Sequence, residues 1–135
     1  MLDVNVLVAV VWPNHVHHPS AGAWFARQLD RAWHTCPITE AGFVRLSSNS
    51  RTTDGAVTPE AARRLLARLR SSGRHAFLAN AVSMVDDEIP PMKGHRQVTD
   101  ALLLGVARRH GLPLVTFDAG LAAMAGPGEV ELLQA

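Results

Sequence analysis

Apolar residues along the 135-residue chain fall in short runs broken by polar or Pro/Gly-rich stretches, and their spacing changes from run to run. MLDVNVLVAVV, residues 1–11, predicts a very short strand ending near Asp3, then an apolar segment whose periodicity fits a strand or a helix equally. WPNHVHHPS is a loop. Ala23, Trp24, Leu29 and Trp33 recur at rough helical spacing and, with Ser20 as cap, predict a helix over 20–33. HTCPI, 34–38, is a strand candidate leading into a helix that starts at Thr39 and runs to about Ser48; SSNSRTTDG ends it as a loop. TPEAARRLLARLRSSG, 58–73, carries a cap in Thr58, Pro59 at the first helical position, Glu60 in the first turn and Gly73 as a stop. HAFLA, 75–79, predicts a strand, and SMVDDEIPPMKGH, 83–95, is too broken for one regular element. A helix runs from Thr99 to Gly111, LPLVTF is a strand ending at Asp118, AGLAAMAGPG is a short helix or loop, and EVELL is a final strand. With no repeat and no linker, one domain over 1–135 is expected.

Strands alternating with helices argue for an α/β fold with a parallel sheet covered on both faces. In each strand-to-helix unit the carboxyl end of the strand and the amino end of the next helix share one edge, where ligands bind. Asp3 and Asp118 end strands, while Glu40 and Asp100 begin helices, so all four acids are expected at one rim although 115 positions separate the first from the last. Helix capping by Thr39 and Thr99, with Glu40 and Asp100 complementing the dipole, is an alternative explanation, but it covers only two of the four. Four carboxylates in one pocket repel unless a cation intervenes. Oxygen ligands suit Mg²⁺ or Mn²⁺ rather than zinc, and point to phosphodiester chemistry with a metal-activated water.

Net charge is only +1, which does not advertise a nucleic-acid binder. Setting those four acids aside in a pocket leaves an excess of five positive charges elsewhere. The lone Cys36 excludes an internal disulfide framework and suits a reducing cytoplasm. The apolar head of the chain lacks a basic flank and carries Asp3, so it is not read as a signal peptide, and no run is long enough to span a bilayer. A soluble, cytoplasmic protein with no membrane association is expected.

LDVNVLV with Asp3 and Asn5, TEAGFVRL with Glu40, GHRQVTDALLLGVARRHG with Asp100, and LVTFDAG with Thr116 and Asp118 together resemble the PIN-domain ribonucleases, and more closely the VapC toxins of bacterial toxin–antitoxin pairs. The resemblance covers essentially the whole chain. It implies a three-layer sandwich with a central parallel sheet of about five strands, Mg²⁺- or Mn²⁺-dependent endonucleolytic cleavage of single-stranded RNA, a homodimer, and silencing by a VapB-like antitoxin. It also implies that Asp3, Glu40, Asp100 and Asp118 hold the metal and carry catalysis, while Asn5 and Thr116 orient the acids or a bound water. Family members usually carry a few more apolar residues before the first acid, so a short first strand, or a start further upstream, is expected.

Lys93, His95 and Arg96 precede the Asp100 helix and are candidates for meeting substrate phosphates. Arg63, Arg64, Arg68 and Arg70 read mostly as a solvated helix face. His15, His17 and His18 read as a polar loop rather than a metal site, and Asp86 to Glu88 as a solvated loop. Seven aromatics without Tyr make an extended base-stacking platform unexpected, and Trp12, Trp24 and Trp33 are placed in the core or an interface. Two rivals remain: a PIN-fold RNA-processing nuclease without antitoxin, and a catalytically silent RNA- or protein-binding module.

Overall fold

The computed structural model describes residues 1–79 and 82–135. Its sheet is built around the first three residues. Leu2 donates its N–H to His34 O at 2.9 Å on one side and bridges Val115 in parallel on the other, where Val115 N–H reaches Met1 O at 2.9 Å and Asp3 N–H reaches Val115 O at 3.0 Å. Strand β1 (Ala32–Thr35) pairs in parallel with β2 (Arg74–Phe77), and β3 (Leu114–Thr116) pairs in parallel with β4 (Val130–Leu132). Residues 1–3 therefore join two short ladders in the order β2, β1, residues 1–3, β3, β4. Where about five strands are expected, the described residues hold four short strands in two parallel pairs, linked through residues 1–3 by the Leu2–Val115 bridge on one side and one hydrogen bond to His34 on the other.

Moving along the chain, the sheet grows first toward β2 and then, from β3, in the opposite direction. A right-handed crossover places the helices of those two halves on opposite faces. The core divides accordingly. One apolar cluster contains Leu2, Trp33 and Val115 with Leu7, Phe25, Phe43 and Leu66; the other contains Met1 and Leu114 with Leu103, Leu104 and Leu121. The first belongs to helices α1 (Val4–Val11), α2 (His18–Arg27), α3 (Pro37–Ser47) and α4 (Pro59–Arg70). The second belongs to α5 (Val98–Arg109) and α6 (Ala119–Ala122). Helices, sheet and helices form three layers.

The ambiguous apolar segment after Asp3 is helical. Its valines favour strands by intrinsic preference, but Val6, Leu7, Val8 and Ala9 are buried and α2 and α3 pack against it, so tertiary burial overrides propensity. The helix expected over 20–33 is shorter: α2 starts at His18, with His17 rather than Ser20 at the cap position, and ends at Arg27. A turn in which Arg31 N–H reaches Gln28 O follows, and Trp33 lies in β1, buried, with Nε1 donating to Ser72 O at 2.9 Å. The strand expected over 34–38 stops at Thr35, because Pro37 opens α3. Thr39 is then inside the first turn, where its hydroxyl accepts from Cys36 N–H at 3.0 Å. Thr99 is likewise not a cap, since a 3-10 turn (His95–Gln97) runs straight into α5. The Thr58, Pro59 and Gly73 signals hold: Thr58 Oγ1 accepts from Ala61 N–H at 3.2 Å, and Gly73 takes φ +61° just past α4.

The α1–α3 contact relies on Gly42. A Cβ there would lie 2.5 Å from Val4 Cγ2 and 3.1 Å from Cγ1, on a β-branched side chain with little rotamer freedom in a helix. Gly42→Ala gains about 1 kcal/mol of helix propensity, but overpacking costs typically 1–3 kcal/mol. A lower urea midpoint is expected; an equal or higher one would show that Val4 yields.

Candidate active site

The carboxyl edge of the sheet gathers chemistry at the point where its growth reverses, between residues 1–3 and β3, which is where ligands bind in open α/β sheets. Asp3 is 7% exposed. Its Oδ1 accepts from Val4 N–H at 2.6 Å, and its Oδ2 from Asn5 Nδ2 at 2.9 Å and from the Thr116 hydroxyl at 2.6 Å. Thr116, fully buried at the end of β3, also accepts from Asn5 Nδ2 and Asp118 N–H, both at 3.0 Å. One hydroxyl thus donates once and accepts twice, which is its full capacity. Asn5 Oδ1 accepts from Phe117 N–H at 3.2 Å, tying α1 to the loop after β3.

Asp118 follows that loop and caps α6, its Oδ1 accepting from Gly120 N–H at 2.7 Å and Leu121 N–H at 3.1 Å. The acids with side-chain capping bonds are therefore the strand-ending Asp3 and Asp118, the reverse of what the Thr-acid pattern suggests. Asp100 lies in the first turn of α5. Burial raises the Asp3 pKa above its ordinary value, the hydrogen bonds from Thr116, Val4 and Asn5 oppose that rise, and Asp118 adds to it. Asp100 is raised by burial and then by Asp118 and Asp3. These three carboxylates thus repel one another, and among the described residues none of them is in a salt bridge.

Glu40, in the first turn of α3, has a different setting. Thr35 Oγ1, at the end of β1, donates to its Oε1 at 2.6 Å, and Arg70 Nη1 lies 3.4 Å from the same oxygen. Thr35 also contacts His75 Nε2 at 2.8 Å. Burial, Arg70 and His34 push the His75 pKa down to about 4, so the ring is neutral near pH 7. Because Thr35 gives its only proton to Glu40, Nε2–H of His75 is the donor to Thr35.

The donor set is oxygen-only, and neighbouring acids push up the pKa of Asp3 and of Asp100, which fits a hard divalent cation. Among the described residues no three His, Cys, Asp or Glu side chains are already gathered to ligate one ion. Mg²⁺ does not require that, since it commonly takes one or two carboxylates and keeps several waters.

The PIN domain family pattern matches residues 1–127. The chain belongs to the PIN-domain family. Among its relatives in Mycobacterium tuberculosis (strain ATCC 25618 / H37Rv), Ribonuclease VapC38 is 52% identical over 125 residues, 93% of this chain and 89% of that protein. Ribonuclease VapC39 of the same strain is 45% identical over 136 residues, 98% of each chain, and Ribonuclease VapC29 is 39% identical over 126 residues, 93% of this chain and 90% of that protein. This PIN domain is thus a relative of VapC ribonucleases along almost its full length.

In this PIN domain Lys93, His95 and Arg96 are exposed just before α5, the last two within its leading 3-10 turn. Asp86 and Glu88 stand apart from the rim, held by Arg109 at 3.0 and 2.9 Å. His17 stacks on Phe117 with centroids 4.4 Å apart, and His18 Nδ1 contacts Ala9 O at 2.8 Å, so the histidine loop is packed against the body. Trp24 and Trp33 are core residues. Sequence reasoning missed Thr35, His75 and Phe77, and gave Arg70 to solvent. The rule that placed Asp3 at the rim, the carboxyl end of a strand, also nominates Thr35 and Phe77 at the ends of β1 and β2.

A carboxylate whose folded pKa is raised binds protons more tightly folded than unfolded, so its stabilisation is present at low pH and fades as pH rises through the folded value. In chelator near neutral pH, Asp100→Asn is expected to melt above the parent by roughly 2–5 °C, with the gap closing as pH falls into the acid range. Added Mg²⁺ or Mn²⁺ is expected to raise the parent's melting temperature and not the variant's. A variant that melts lower at every pH would refute the repulsion.

Proposed function

We propose that this PIN domain, a single domain spanning the chain, is a VapC-type endoribonuclease, the toxin of a type II toxin–antitoxin pair, hydrolysing RNA phosphodiesters with water as nucleophile. The observation that carries the reading is the coupled set Asp3, Asp100 and Asp118 at the reversal point of the sheet, mutually repelling and without a basic side chain paired to any of them. Relatives named Ribonuclease VapC at up to 52% identity support the same chemistry.

Asp3, Glu40, Asp100 and Asp118 would hold Mg²⁺ or Mn²⁺. When bound, the ion supplies Lewis acidity at the phosphoryl oxygen and offsets the negative charge of the rim. The chain's own residues do the rest. Thr116 and Asn5 orient Asp3 through two hydrogen bonds that favour its ionised form, and a third bond between Asn5 and Thr116 holds the two donors together. Thr35 aims Glu40, and the exposed Lys93, His95 and Arg96 meet phosphates of the strand entering from the α5 side. A VapB-like antitoxin as silencing partner and a homodimer in the cytoplasm complete the reading. It is supported by the VapC relatives.

The test is cleavage of single-stranded RNA by purified protein with Mg²⁺, Mn²⁺ or chelator. Activity is expected with either ion, lost in chelator and lost in Asp100→Asn. Thr116→Val, which keeps shape but removes the hydroxyl, is expected to weaken metal-dependent activity about 10- to 100-fold. Equal RNA loss from parent and Asp100→Asn would assign the activity to a contaminant and end the proposal. Arg96→Ala is expected to flatten the salt dependence of RNA affinity; an unchanged slope removes Arg96 from the substrate path.

A further inference from the structure

Phe77 is out of place for a core residue. It ends β2, an edge strand, and remains 40% exposed, whereas Phe25, Phe43, Trp24 and Trp33 are buried. Its register partner across the ladder is Thr35, the residue that donates to Glu40, and paired residues of parallel strands share a face of the sheet. The guanidinium of Arg70 lies 5.3 Å from the Phe77 ring centroid and also reaches Glu40 at 3.4 Å. That distance is too long for a strong hydrogen bond, so the cation is shared between ring and carboxylate rather than committed to either.

A groove of about 360 Å³ continues from there along α4, lined by Glu40, Arg63, Arg64 and Arg70 among others. Arg63 is paired with Glu60 at 2.7 Å, while Arg64 is in no salt bridge among the described residues. A partly exposed aromatic ring, a planar cation over it and further guanidiniums along the same channel are the elements by which single-stranded nucleic acid is held. Bases stack on rings and on guanidinium planes, and phosphates track the positive groove.

We propose that Phe77 and Arg70 form a nucleotide subsite, in which an unpaired base of the substrate RNA stacks on Phe77 and Arg70 while its phosphates follow Arg64 along α4. This rests on the nuclease reading of the rim and names how the strand is held on its Glu40 side. The subsite reads the π-face of a base, so it tolerates any sequence and requires a single strand, because a base inside a duplex cannot present that face.

The experiment measures binding without turnover. Asp100→Asn protein is titrated with a fluorescent single-stranded RNA oligonucleotide of mixed sequence, alone and combined with Phe77→Leu or Phe77→Tyr, with melting curves recorded in parallel. Phe77→Leu is expected to weaken binding about 5- to 100-fold, the range that stacking of one base implies, while Phe77→Tyr, which restores a ring, binds like the parent. An equal-length RNA duplex is expected to show no difference between Leu and Phe. Independently of how the variants fold, RNA carrying 5-iodouridine is photo-crosslinked to the Asp100→Asn protein. The crosslinked peptide is expected to contain Phe77. Unchanged affinity in Phe77→Leu, or crosslinks only to peptides that lack Phe77, overturns the proposal. So does a Phe77→Leu protein that loses a cognate antitoxin while keeping its RNA affinity, which would assign the surface to a protein partner. None of these readouts depends on cleavage, so a failed nuclease assay and a failed subsite are separable.

Discussion

A buried carboxylate needs donors, and of the three that reach Asp3 two are local and one comes from the far end of the chain. Val4 and Asn5 belong to the helix it caps, and Thr116 comes from a strand more than a hundred residues later. The Thr116 hydroxyl can bond Asp3 only if residues 1–3 and β3 are adjacent and in the register fixed by the Leu2–Val115 bridge. A slip of one residue would turn Thr116 to the other face of the sheet. Seating of the first acid and closure of the sheet between its two halves are thus one event, and the rest of the rim is positioned by reference to it.

The rim is electrically uneven. On the side of β3 and α5, the charge of Asp118 raises the proton affinity of Asp3, and Asp118 and Asp3 together raise that of Asp100, and no salt bridge among the described residues relieves the three. On the side of β1 and β2, Glu40 is held by the Thr35 hydroxyl, behind which stands a neutral His75, and is shared with Arg70. The four acids that a uniform pocket would treat alike are three repelling charges and one partly compensated charge. A cation entering the first group gains the full repulsion it relieves, while at Glu40 it must compete with a guanidinium.

How far this was legible depends on whether the signal is local. Helix α4 could be read because Thr58, Pro59 and Gly73 each act within a few residues of their own position. The acids at the rim could be read because strand ends and helix starts of an α/β chain share an edge whatever the register. Trp33 was misplaced because a four-residue strand is too short to establish a period against the helical spacing around it. Thr39 and Thr99 looked like caps, but Pro37 and a 3-10 turn start those helices earlier. The Thr35–His75 contact and the neighbourhood of Phe77 were not legible at all. They exist only through the β1–β2 register, which no spacing along the chain encodes.

Packing explains why such a rim can be tolerated. Two apolar clusters, one on each face of the sheet, are completed by neighbouring residues of the same segments: Leu2 and Val115 on one side, Met1 and Leu114 on the other. Asp3 and Thr116 are the next residues along those two segments, so they are buried because the pairs before them are. The apolar pairs, with the Thr116–Asp3 bond beside them, hold the backbone in place, and the remaining acids of the rim therefore need not contribute to stability where they stand. That division leaves the carboxyl edge free to carry repulsion that a chelating helix or loop, with no sheet behind it, would release by moving apart.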